Sequence, residues 1–368
     1  MLKGSYCNTG FDSWWHSFSG VNTETGEEKT FFVEYIVLNP SLSPDKVVFG
    51  QKEDNLLYKV NPSYLMVKAG ECGKNGKELN NFYSYPDFSV NPRHLDILIG
   101  SCRMNKLTLS GSVFVNDKEA KFLPECMTDA GSMRWDLKML KNCSYIPDNT
   151  SPWKNRVFHL SDTNIFVQGL SCEFEGTVIY DDAQYEVRRE TSHGYAEKRW
   201  GKAFPKFSAR FYSSDLTNMI SGQKMKDSAL FFWGLTGKFH GSNRKRKSFL
   251  YLKLNEKVLE FNFLKDKSSA FANVEMADNN EDENIHWVIS AESKKNIVDI
   301  HIYSPKDSVS NLHHESPISA QVCEDALYSL NCHGEIKIFL KDRHQLELLD
   351  HIQFGHGGCE YFDMGKYK

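Results

Sequence analysis

The chain has 368 residues, long enough for two hydrophobic cores, and 13% of it is aromatic, with 25 Phe, 16 Tyr and 7 Trp. Its formal charge of −4 excludes the strongly basic footprint of a nucleic-acid-binding protein. No apolar run approaches the ~18 residues of a spanning helix, and the opening MLKGSYCNTGFDSWW lacks the apolar stretch of a signal peptide. The expectation is therefore a cytoplasmic protein with no transmembrane segment.

Nine cysteines at irregular spacings, with no CxxC pair, predict reduced and packed thiols instead of a disulfide framework or a zinc site. In such a compartment the sequons at Asn142 and Asn149 carry no glycan.

Aromatic content and the scarcity of Ala lean toward strands. In chain order, strand-like runs fall at 31–38, 107–115, 133–139, 164–168, 177–180 and 185–188. The second half continues with 230–233, 249–254, 258–263, 285–290, 297–303, 335–340 and 346–354. Residues 133–139 are the clearest, because Met133, Trp135, Leu137 and Met139 alternate with Arg134, Asp136 and Lys138. That period of two gives one buried and one wet face.

Asn116-Asp117, Asp181-Asp182 and Asn255-Glu256 are expected hairpin turns, since Asn and Asp tolerate the positive φ that tight reversals need. Loops around 39–63, 69–96 and 141–156 are long enough to act as lids over a cavity. The basic run from Arg244 to Lys247 and the acidic run from Glu281 to Glu283 are expected as solvated segments.

No GxGxxG follows a strand, and there is no P-loop, GxSxG elbow or HExxH, so the common nucleotide, hydrolase and zincin chemistries lack their residues. His313-His314-Glu315, and the pair His344 and His351, do not repeat a known metal spacing. No cofactor and no metal are expected.

Residues 193–205 read HGYAEKRWGKAFP. Tyr195, Glu197, Lys198, Trp200, Gly201, Phe204 and Pro205 match the hallmark of the tocopherol cyclase family, Y-x-E-K-N-W-G followed by F-P, which this segment resembles. Weaker echoes are Phe11 to His16, similar to the family's opening strand, Phe174 to Tyr180 with Tyr185, and the closing pieces His333 to Ile336 and Gly358 to Tyr361. The echoes span nearly the whole chain, and only the central motif is specific.

The resemblance, which extends to carotenoid hydratases and related cyclases, implies an all-β chain of two lipocalin-like antiparallel β-barrel or sandwich units packed together. The expected division is 1–195 and 196–368, with the hallmark near the junction. It also implies an elongated apolar ligand, prenylated or polyene, and acid-initiated cyclisation or alkene hydration by an enzyme of the lyase or isomerase kind. The alternative is a non-catalytic lipocalin-like carrier of a lipid or isoprenoid. Two departures bear on the ligand: position 199 is Arg where the family has Asn, and the W-x-W after F-P is replaced by Ser208 and Arg210.

Protonating an alkene carbon requires a carboxyl group still protonated near neutral pH, which burial can provide. Glu197 is one candidate, although Arg199, two residues along and on the same strand face, equally suits a structural ion pair with it. Glu34, inside Phe-Phe-Val-Glu-Tyr-Ile-Val-Leu, is either a desolvated acid or a structural residue, exposed at a strand edge or held in a salt bridge. Tyr195 is either a donor to a substrate oxygen or a packed ring. Lys198 points opposite to Glu197. Trp15, Trp135 and Trp200 are candidate walls for an apolar tail, with Ser208, Arg199 and Arg210 near an anionic or oxygen-rich head.

Overall fold

The computed structural model describes residues 9–73, 75–91, 93–122, 128–147, 163–239, 242–262, 271–277, 282–318, 322–342 and 345–363. It is 67% strand and 7% helix, all-β, with a closed antiparallel barrel and a second antiparallel sheet.

Twelve strands form the first sheet: β1 (Phe11–Asn22), β2 (Glu28–Leu38), β3 (Tyr64–Glu71), β4 (Glu78–Tyr83), β5 (Phe88–Val90), β6 (Asp96–Ile99), β7 (Cys102–Asn105), β8 (Thr108–Val115), β9 (Gly131–Asn142), β10 (Thr163–Tyr180), β11 (Ala183–Val187) and β12 (Gly194–Gly201). Their order is β4-β3-β2-β1-β11-β10-β9-β8-β7-β6-β5, with β12 also lying between β1 and β10. The barrel closes where Asn81 of β4 meets Phe114 of β8: its amide donates to the Phe114 carbonyl at 3.0 Å and accepts from the Phe114 N–H at 3.2 Å. One side chain supplies there the two bonds a ladder would have made.

The second sheet contains β13 (Phe207–Ser213), β14 (Asp215–Asn218), β15 (Gln223–Lys224), β16 (Ala229–Phe239), β17 (Ser242–Leu254), β18 (Lys257–Asn262), β19 (Phe271–Ala277), β20 (Asn284–Glu292), β21 (Asn296–Pro305), β23 (Val322–Asp342) and β24 (Gln345–Asp363), with β22 (Ser310–Glu315) beside β23. Its main path runs β18-β17-β16-β13-β24-β23-β21-β20-β19.

Two compact units result. One comprises Met1–Ser144, Asp162–Phe204 and Leu312–Asp325, and the other Tyr145–Ser161, Pro205–Asn311 and Ala326–Lys368. The expected division at 195/196 would cut β12. That strand pairs with β1 from Phe11 to Ser17 and with β10, so the ladder carries the first unit on to Phe204.

Alternation dictates each core. Met133, Trp135, Leu137 and Met139 point into the barrel with Trp14, Phe18, Val33, Tyr35 and Phe174. In the second unit Phe207, Ala209 and Phe211 join Phe232, Trp287, Ile300 and Ile336. The turn at Asp181-Asp182 joins β10 to β11 with φ of 45° and 70°, and Asn255 joins β17 to β18 with φ of 53°, as the turn chemistry predicts.

Asn116-Asp117 differs. Asn116 accepts from the Lys118 and Glu119 N–H groups at 3.0 Å and caps the short helix α1 (Asp117–Phe122), because an Asn side-chain oxygen serves a helix start as well as a hairpin. The expected 69–96 loop contains β4 and β5. The basic run from Arg244 to Lys247 lies on the backbone of β17, with its side chains outside the described residues, as are Glu281 and His344. Of the cysteines described, Cys72, Cys102, Cys172, Cys332 and Cys359 are buried and Cys143 is half-buried. No helix among the described residues is long and apolar enough to cross a membrane.

Candidate functional site

The first unit buries a charged row on the face of its sheet opposite the barrel core. Trp15 of β1 is the register partner of Glu34 on β2 and of Glu197 on β12, and Glu34 is in turn opposite Lys68 on β3. Side chains on one face of neighbouring strands are in contact range, so four strands bring together residues 182 positions apart at the extremes.

Glu34 and Glu197 are fully buried and Arg199 is 7% exposed. Glu34 is not at an edge, because β2 is flanked by β1 and β3. Arg199 bridges the two carboxylates: its Nε lies 3.1 Å from Glu197 Oε1 and its Nη2 3.6 Å from Glu34 Oε1. The Tyr195 hydroxyl donates to Glu197 Oε2 at 2.5 Å, and the Ser13 hydroxyl donates to Glu34. Two carboxylates, a guanidinium and two hydroxyls are thus linked by ion pairs through Arg199 and hydrogen bonds from Tyr195 and Ser13, with Trp15 between the acids. Trp15 stacks on Phe32 at 5.1 Å, which supplies an aromatic wall.

Beside this chain, Lys68 pairs with Glu78 and donates to the His313 carbonyl. The fully buried Lys68 ammonium, with hydrogen bonds from His313 and Asn80, holds the Glu78 carboxyl down to about 2 against its own desolvation.

The same face carries an apolar cluster of Phe11, Ile36, Leu38, Tyr64 and Met66, with Val47, Phe49, Phe82 and Phe204 packed on it. Val47 and Phe49 come from the 39–63 loop, which therefore covers this face as a lid would. Asn39 fastens the cover. Its amide donates to the carbonyls of Pro62 at 2.8 Å and Pro317 at 2.7 Å and accepts from the Gly10 N–H at 2.6 Å. Glu315 lies under the cover, its Oε1 against Gly50. Burial pushes its carboxyl up to about 7, opposed by hydrogen bonds from Tyr64, Gly50 and Gln51. An acid protonated near neutrality is thus present in an aromatic setting.

Glu315 was not among the sequence candidates. Its neighbours Tyr64 and Gly50 lie some 250 positions away, and the only local signal was a carboxylate in a histidine-rich run. Lys68, Glu78 and Ser13 were missed for the same reason.

The remaining candidates separate. Trp135 lies in the barrel core and Trp15 on the opposite face, so the two do not line one wall. Trp200 and Lys198 share the core-side face: the Lys198 ammonium pairs with Asp12 at 3.0 Å and lies over Trp14 and Trp200 at 5.0 and 5.3 Å. Ser208 and Arg210 fall in the second unit, on the face of β13 opposite its core. There Arg210, fully buried, is the register partner of Glu360 on β24 and of Trp233 on β16, and its Nη2 lies 2.8 Å from Glu360 Oε2. Tyr212, on the same face, meets the Tyr328 hydroxyl at 3.1 Å. Arg210, expected near an anionic ligand head, is paired with a carboxylate of the protein itself, as a buried guanidinium needs an anion. A concavity of about 530 Å³ opens on the wet face of β9 and β10, lined by Arg134, Asp136, Lys138, Glu175 and Thr177, and of the expected site residues it touches only Trp135.

Fold and site define an all-β protein with a closed antiparallel barrel and a buried carboxylate network on the outer face of that barrel. No family model matches the chain, and no curated protein matches it. Among solved structures it is similar to kievitone hydratase from Nectria haematococca, at 12% identity, a TM-score of 0.48 and coverage of 96% of this chain and 89% of that one. So loose a likeness carries no argument about chemistry, which rests on the residues.

Proposed function

We propose that the protein is an acid–base enzyme that adds water to, or closes a ring on, an unsaturated apolar small molecule such as a prenylated phenol or a polyene. The observation that carries this reading is the arrangement of Glu34 and Glu197 around Trp15, joined by Arg199 and capped by Ser13 and Tyr195, on the face where the half-buried Glu315 also lies.

The chemistry follows from those parts. Glu315 donates a proton to the terminal alkene carbon, and positive charge develops at the more substituted carbon. The faces of Trp15 and Phe32 and the neighbouring carboxylates stabilise that cation. Hydration requires a base to take a proton from the attacking water, and cyclisation requires one for the attacking phenol. Glu34 or Glu197 takes that proton and releases it to solvent as product leaves, Glu315 regains one from solvent, and Tyr195 holds the carboxylate acceptor in place. The apolar cover excludes bulk water and so decides between the two outcomes.

The test is incubation of the purified chain with a prenylated phenol and with a linear polyene in D2O, followed by mass spectrometry. Products carrying carbon-bound deuterium, with or without an added water, are expected, and Glu315→Gln and Glu34→Gln should abolish them. Ligand retained by the protein yet recovered unchanged and without deuterium would instead establish the carrier, a pocket that binds and transfers no proton.

A further inference from the structure

The inward-facing row of β9 does not end on an apolar residue. Beyond Met133, Trp135, Leu137 and Met139, the same alternation places Lys141 on the core side of the strand, where it is the register partner of the buried Cys172 on β10. Register shifts on either side of Gly169 bulge β10 at this point and bring Gln168 to the ammonium, which donates to its Oε1 at 2.7 Å. Gly169 is required there, because a Cβ would run into Cys172 Sγ and crowd Lys141 Cβ.

We propose that Lys141 is a nucleophilic amine that condenses with an uncharged aldehyde to form a Schiff base where β9 ends. Lys141 is half-buried, so a small molecule reaches it without opening the core. Its hydrogen-bond partner is a neutral amide, and no carboxylate pairs with it among the described residues. Desolvation therefore goes uncompensated and pulls the ammonium down to about 8, with the Cys172 thiol acting in the opposite sense. The titratable neighbours supply no counter-charge. Burial pushes Cys172 up to about 12, leaving a neutral thiol, and burial together with the Lys141 charge holds His16 of β1 well below its usual value.

At about pH 7.4 such an amine is about one-fifth unprotonated, against about one part in a thousand for an ordinary lysine. Its lone pair attacks the carbonyl carbon, and the carbonyl oxygen takes up a proton. The carbinolamine then loses water, so a C=N bond replaces the C=O bond and no oxidant or reductant takes part. Gln168 Oε1 accepts from the amine and, once formed, from the protonated imine, which holds the nitrogen in place. Met139 and Phe174, the next inward pair along the ladder, favour an alkyl or aromatic aldehyde over a charged one.

The experiment treats the full chain with limiting benzaldehyde and cyanoborohydride, which reduces each imine to a stable secondary amine, and reads the modification of every lysine by peptide mass spectrometry. Lys141 should react more than about tenfold faster than the exposed Lys118, well inside the roughly two-hundredfold difference in free amine. The advantage should vanish in urea, where desolvation is lost, and should be smaller with glyoxylate, a charged aldehyde. Gln168→Glu sets a carboxylate beside the ammonium and should slow Lys141 to the rate of Lys118, while the Lys118 rate itself stays unchanged. The comparison of the two lysines within the native wild-type protein needs no variant to fold. Modification of Lys141 there no faster than that of Lys118 would overturn the proposal and leave Lys141 an ordinary lysine held by Gln168.

Discussion

Glu197 and Arg199, two residues apart on β12, form an ion pair of 3.1 Å at a place where neither is more than 7% exposed. Removing one member strands the other away from water, at a cost of about 3–5 kcal/mol. Glu197→Gln and Arg199→Ala should each lower the urea midpoint accordingly, and the double variant should lose much less than their sum because the stranded charge is gone. Additive losses in a double-mutant cycle would show that the two groups do not interact.

Glu315 gives stability an unusual pH dependence. Its folded pKa of about 7 lies above the ordinary carboxylate value of 4.5. Between those values the folded state binds more protons than the unfolded state. Stability is therefore present at low pH and lost as pH rises from about 4.5 through about 7, by about 3 kcal/mol in all. Denaturation of wild type and Glu315→Gln across pH 4 to 8 should show this slope in the first and not in the second. Under the proposed reaction, turnover should fall above pH 7 with the same midpoint.

Glu78 should act in the opposite sense. Its carboxyl is held down to about 2, so its contribution is full above about 4.5 and lost as pH falls toward 2. The shift is worth on the order of 3 kcal/mol. Glu78→Gln should be destabilised at pH 7 and nearly equal to wild type at pH 2, by the same denaturation measurement. A constant difference at both pH values would count against the Lys68–Glu78 pair.

Arg210 and Glu360 test whether the second unit's buried pair adds stability or specificity. Arg210→Met alone should cost about 3–5 kcal/mol, whereas Arg210→Met with Glu360→Leu should return close to wild type, since apolar replacements of similar volume escape desolvation. Thermal denaturation of the three proteins decides it. A double variant as unstable as the single one would mean that the residues around the pair, Trp233 and Tyr328 among them, require its charges.

The sequence by itself determined the class of the fold. Period-two alternation at 133–139, the φ-tolerant turns at Asp181-Asp182 and Asn255, and the scarcity of helical patterns are local properties, and local properties survive without knowledge of contacts. It likewise placed Glu197 with Arg199, and Ser208 with Arg210, on shared faces, because strand geometry fixes the relation of i and i+2. Local pattern was ambiguous at Asn116, where one residue type serves both a turn and a helix cap.

Only the tertiary structure decided which face each residue occupies and what lies across from it. Pairing register joined Glu34 to Glu197 through Trp15, sent Trp135 and Lys198 to the other side of the sheet, and matched Arg210 with Glu360. The lid over Glu315 comes from a loop some 250 residues earlier in the chain. Register and loop docking depend on ladders and packing between distant segments, and a shift of one residue moves every side chain of a strand to its opposite face.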